Sequence, residues 1–123
     1  MEIKVARRID KDGRYVSEIT IPEELWGYAD ILRSLTDDLA GAGFHFQDPQ
    51  EELRIQRPRI TLFSWGPGMS LTLSEITAVT FGVEKTLEWI TKEKVELNAT
   101  SFLPSEWQEG EFSIPIPLKE VPA

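Results

Sequence analysis

The first twenty-one residues, MEIKVARRIDKDGRYVSEITI, constrain the fold more tightly than any other stretch of the chain. Ile3, Val5 and Ile9 alternate along one segment, and Tyr15, Ile19 and Ile21 along the next. Side-chain direction in a strand has period two, so both sets share a face only if the numbers of opposed residues sum to an even value. A two-residue Asp12-Gly13 turn gives odd sums and sends half the apolar set into water. A three-residue loop, Lys11-Asp12-Gly13, opposes Asp10 to Arg14, Ile9 to Tyr15, Val5 to Ile19 and Ile3 to Ile21. Such loops want a left-handed third residue, and Gly13 stands there. The other face is polar, with Lys4 facing Thr20 and Ala6 facing Glu18. The chain therefore opens with a β-hairpin of defined register.

Pro22 then predicts the start of a helix, because proline suits a first helical turn and Glu23 and Glu24 complement the positive end of the dipole. Leu25, Tyr28, Ala29, Leu32, Leu35 and Leu39 form its apolar stripe, and Gly41 and Gly43 end it. Short strands are expected at Phe44-His45-Phe46, at Leu53 to Gln56 and at Ile60 to Trp65. Met69, Leu71 and Leu73 alternate with Ser70, Thr72 and Ser74, which predicts a further strand. A second helix follows from about Glu75 to Lys94, with Ile76, Val79, Val83, Leu87 and Ile90 on one face. The run ITAVTFGV is also rich in β-branched residues, which suit a strand. Val95 to Phe102 and Phe112 to Leu118 read as strands.

Two helices among several short strands indicate one α+β domain over 1–123: a mostly antiparallel sheet of five to seven strands, with two main helices packed on one face. Pro115 and Pro117 remove two donors from the same side of the last strand. That pattern places the strand at a sheet edge.

Composition narrows the chemistry. Thirteen basic residues against twenty-one acidic ones leave a net charge of -8, which repels phosphate backbones and anionic membranes and attracts basic protein surfaces. With no cysteine there is no disulfide, thiolate metal site or thiol nucleophile. No apolar run approaches the ~18 residues that span a bilayer, and the amino terminus lacks the apolar core of a signal peptide. A cytoplasmic protein without nucleic-acid or membrane partners is the expectation.

The candidate sites are few. Gly66-Pro67-Gly68 follows a strand as a phosphate loop does, but Pro67 deletes an amide and no lysine follows, so it reads as a bend. Trp65 and Met69 sit on its shoulders, where they either cap the core or anchor a partner. The single histidine, His45, alternates with two phenylalanines and reads as a surface residue rather than a metal ligand. No motif selects a catalytic serine, and the carboxylate clusters lack calcium-loop spacing. The expectation is accordingly no catalytic residue, no cofactor and no metal. Arg7, Arg8 and Arg14, with Arg54, Arg57 and Arg59, either form a basic sheet face or scatter into ion pairs.

A non-catalytic protein-binding module is the leading reading, most concretely an acidic inhibitor or immunity-type protein that masks a basic toxin or enzyme. Trp65 and Met69, together with Trp107 flanked by Glu106, Glu109 and Glu111, are the candidate partner-binding residues. A small-ligand-binding protein or carboxylate-based enzyme is the second class. A structural subunit of a larger or self-associating assembly, a homo-oligomer among the options, is the third.

Overall fold

A computed structural model of the chain describes residues 1–37, 44–47, 59–64 and 69–117. Its centre is an antiparallel sheet built from β1 (Glu2–Ile9), β2 (Tyr15–Thr20), β3 (Phe44–Gln47), β4 (Arg59–Ser64) and β5 (Gly110–Pro115), in the order β3-β4-β2-β1-β5. The α+β class and the antiparallel pairing are as the patterning predicts.

The hairpin has the predicted register. Val5 opposes Ile19, Ala6 opposes Glu18 and Ile9 opposes Tyr15. Asp10 N–H bonds the Arg14 carbonyl at 2.9 Å, closing the three-residue loop, and Gly13 takes φ of 82°. Parity then sorts the sheet into two faces. Ile3, Val5, Ile19, Ile60, Leu62 and Ile114 are buried on the inner one. Glu2, Lys4, Arg8, Glu18 and Glu111 occupy the outer one.

Two helical segments cover the inner face. Pro22 accepts a bond from Leu25 N–H at 2.9 Å, but the turn it opens is a 3₁₀ helix (Glu23–Tyr28). The helix α1 (Ala29–Asp37) follows, and Leu25 and Leu32 reach the core. Leu39, Gly41 and Gly43 lie outside the described residues, as does the strand expected at Leu53 to Gln56.

The second segment corrects the sequence reading. Met69 to Leu73 is not a strand but the start of α2 (Met69–Ala78), which continues through a π turn (Val79–Glu84) into α3 (Lys85–Thr91). Alternation over three residues is compatible with either period; burial decides. Leu71, Thr72, Glu75, Ala78 and Val79 are buried, a helical stripe of spacing 1, 3, 3 and 1. Lys92 N–H still donates to the Glu88 carbonyl, and its left-handed φ of 63° then turns the chain out of the helix.

Val95 to Phe102 is not a strand either. Val95, Leu97 and Ala99 do alternate inwards, yet this stretch has no ladder partner among the described residues. Left-handed Asn98 (φ 53°) turns it into the one-turn helix α4 (Ala99–Phe102).

The last strand is outermost, beside β1 alone. Ile116 N–H bonds the Met1 carbonyl at 3.0 Å, so alternation aims positions 115 and 117 away from the sheet. Both are proline, and the outer rim offers no donor there. None of the described helices is long and apolar enough to cross a membrane.

Candidate functional site

The strand register brings two polar residues onto the inner, apolar face: Arg7 on β1 opposes Ser17 on β2. Glu75 meets them from α2. Arg7 Nε donates to Glu75 Oε2 at 2.9 Å and Nη2 to Oε1 at 2.7 Å, a two-pronged pair. Ser17 Oγ donates to the same Oε2 at 2.6 Å. The remaining face of the guanidinium serves the Pro104 carbonyl, from Nη1 at 3.2 Å and Nη2 at 3.3 Å. The Phe112 ring lies 5.2 Å from Arg7 Cζ. All three polar side chains are buried, and every charge is hydrogen-bonded, as a charge in an apolar interior must be.

Sequence reasoning misses this cluster because Arg7 groups naturally with its basic neighbours. The available signal is the hairpin register, which sets Arg7 and Ser17 opposite each other among isoleucines and valines. Three other described arginines, Arg8, Arg14 and Arg59, pair elsewhere. Arg8 pairs with Glu18 at 2.9 Å on the outer face, Arg59 reaches the same carboxylate at 3.6 Å, and Arg14 pairs with Asp10 at 2.8 Å. A basic sheet face is therefore not formed by the described arginines; they are distributed into ion pairs. Arg54 and Arg57 lie outside the described residues.

The predicted partner-binding residues divide into two groups. Trp65 lies outside the described residues, and Met69 opens α2 with its side chain outside them. Glu106, Trp107, Glu109 and Glu111 come together where the chain enters β5. Trp107 is half-buried, its ring edge-on to Tyr15 at 4.7 Å between centroids. It caps the end of the core rather than standing free. Glu109 Oε1 accepts the Ile9 N–H at 2.9 Å, taking the role of a β5 carbonyl one step beyond the ladder. Gly110 supports that entry with φ of 147°, and a Cβ there would sit 3.4 Å from Phe112 Cζ. Glu106 and Glu111 are exposed.

Beside Glu111 the outer face carries a recess of 390 Å³ over Ala6, bounded by Glu2, Lys4, Glu18 and Glu111. The small Ala6 side chain, flanked by Glu18 on β2 and Glu111 on β5, forms its floor. A larger groove of 660 Å³ runs between α1 and α3, walled by Ile31, Leu35 and Trp89. Among the described residues no group of three His, Asp or Glu side chains is placed to hold a metal ion. His45 takes a β3 register position opposite Thr61.

The chain matches no protein-family model, no curated protein and no solved structure.

Proposed function

We propose that the chain is a non-catalytic protein-binding module whose acidic β5 entry, Glu106 to Glu111, docks on a basic protein surface in the manner of an inhibitor or immunity protein. The observation that carries this reading is how the acidic segment is held. It is fastened at three points: Pro104 to Arg7, Trp107 to Tyr15, and Glu109 to the Ile9 amide. A segment ordered before contact loses little conformational freedom on binding, so its carboxylates act at full strength. Glu106 and Glu111 then project from a fixed base, and the recess over Ala6 opens beside Glu111. The net charge of -8 steers a basic partner towards the molecule. The Arg7–Glu75–Ser17 cluster has no solvent-exposed side chain, so it serves the framework rather than a substrate.

The test is capture of partners on the immobilised chain at low and high salt, in parallel with a Glu106→Lys, Glu111→Lys variant. A basic protein retained at low salt, released by high salt and lost with the variant is the expected result. Retention that ignores both changes would show that the acidic entry is not the docking surface.

A further inference from the structure

Six large hydrophobic side chains are exposed among the described residues, and three of them lie on the single helix from Met69 to Thr91: Leu73 at 54%, Phe81 at 51% and Trp89 at 62%. Their spacing is symmetric, since Leu73 precedes Phe81 by eight residues and Trp89 follows it by eight. An unbroken α-helix would not keep them aligned. At 3.6 residues per turn, each step of four drifts by about 40°, which over sixteen residues approaches half a turn. The π turn from Val79 to Glu84 has wider turns and takes up part of that drift, and all three side chains remain outward.

The ridge is also electrically quiet in an acidic protein. From Met69 to Val83 the only charged residue is Glu75, which is buried against Arg7. Further along, Lys85 pairs with Glu88 at 3.3 Å, Glu84 accepts the Leu97 amide, and Lys92 lies 4.7 Å over the Trp89 ring. The groove beside Trp89 carries Asp30 and Glu88 balanced by Lys85 and Lys92, so the ridge offers a basic partner no net negative charge, whereas two copies of its uncharged Met69–Val83 half meet without repulsion.

We infer that this ridge is the interface of a homodimer, in which two copies of the Met69–Thr91 helix pack antiparallel about a two-fold axis at Phe81. In that arrangement Phe81 meets Phe81 of the second copy, and Leu73 meets its Trp89. A self-complementary patch of this kind is what an isologous contact requires. The groove between α1 and α3 provides the receiving pocket: Leu73 of one copy enters beside Ile31, Leu35 and Trp89 of the other. Half-exposed side chains of this size each leave on the order of 100 Å² to cover, so the six anchors of a dimer supply roughly half of the smallest stable interfaces. The flanking Ser74, Thr77, Thr80 and the groove walls supply further area. The ridge lies on the helical layer and the acidic entry at the rim of the sheet, so the two surfaces are tested separately.

The experiment is sedimentation equilibrium of the full chain up to about 1 mM, where even weak specific pairing is populated. The wild-type chain is expected to dimerise. Phe81→Glu places two like charges on the axis and removes two anchors at once, weakening the dimer roughly a hundredfold. Mixing Phe81→Glu with Phe81→Lys should restore pairing as a heterodimer, which only a contact of position 81 with itself predicts. Leu73→Asp provides a second disruption should the first variant fold poorly by circular dichroism, and Phe102→Asp, exposed but off the ridge, should leave pairing unchanged. A monomeric wild-type chain overturns the inference, as does a dimer that survives both ridge substitutions. A ridge that instead binds a different protein, with the wild-type chain itself monomeric, overturns it equally.

Discussion

Arg7 and Glu75 stand 68 residues apart in the chain and meet inside the core, Nη2 to Oε1 at 2.7 Å, with neither side chain touching solvent. The pair ties β1 to α2, and its further bonds to Ser17 and Pro104 bring in β2 and the approach to β5. One guanidinium therefore holds the helix in register on the sheet and positions the acidic entry proposed as a docking surface. Buried pairs of this kind rarely add net stability over apolar residues, but they penalise any arrangement that separates them.

Removing one member should expose that penalty. Arg7→Met leaves a buried carboxylate without its partner and is expected to lower the unfolding free energy by about 3–5 kcal/mol. The triple variant Arg7→Met, Ser17→Ala, Glu75→Met removes the whole polar cluster and should recover most of that loss. Urea unfolding of the variants measures the coupling; additive losses would show that the three residues do not act as a unit.

Two buried threonines on the same helix make a contrasting pair. Thr72 Oγ1 is buried with no hydrogen-bond partner, whereas Thr86 Oγ1 donates to the Gly82 carbonyl at 2.8 Å. Thr72→Val deletes an unsatisfied hydroxyl at nearly constant shape and should raise stability by about 1 kcal/mol. Thr86→Val forfeits a bond and should be neutral or mildly destabilising. Thermal unfolding of the two single variants distinguishes them, and a loss on Thr72→Val would mean that the hydroxyl is satisfied in solution.

Glycine positions offer a backbone test. Gly110→Ala puts a side chain on a residue with φ of 147°, a conformation that L residues rarely adopt, and should cost about 1–2 kcal/mol. Gly27, in the 3₁₀ turn, has open space within 4 Å of the position a methyl would take, and no positive φ. Gly27→Ala should be neutral or stabilise by about 0.5 kcal/mol through the unfolded state. Equal losses at the two positions would contradict the backbone assigned to the entry of β5.

The hairpin carries the pH prediction. Partial burial of the Asp10 carboxylate opposes its ionisation. Hydrogen bonds from the Arg14 amide, the Arg14 guanidinium and the Asp12 amide outweigh that effect and hold its pKa below 3.8. A carboxylate depressed in the folded state stabilises above its unfolded pKa and loses that contribution as pH falls through the folded one. The stability gap between the wild-type chain and Asp10→Asn should therefore be full at neutral pH and close as pH drops from 3.8 downwards. A carboxyl NMR titration of Asp10 with a midpoint at or above 3.8 would refute it.

Local geometry decides what is legible in the residues alone. The hairpin register follows from period-two alternation and one glycine, and the edge position of β5 from two prolines spaced so that both face outward. Neither depends on distant residues. The candidate site is half legible: the acidic run from Glu106 to Glu111 shows in the sequence, while its anchorage does not. Trp107 is an exposed anchor by composition and a core cap by contact, because Tyr15 approaches it from the hairpin.

The amino-acid sequence by itself determined the opening hairpin, the antiparallel α+β class and the blunted edge, since each rests on side-chain alternation or backbone donors counted along a few residues. Tertiary structure decided the rest. Met69 to Leu73 is helical because its buried stripe fits the sheet below, although its alternation suits a strand equally well. Val95 to Leu97 alternates inwards without becoming a strand, because no described neighbour is there to complete a ladder. Arg7 is an interior residue because Glu75 and Ser17 meet it there. In each case the deciding partner lies far along the chain, and a hydrogen bond or packing contact exists only once both sides have been brought together.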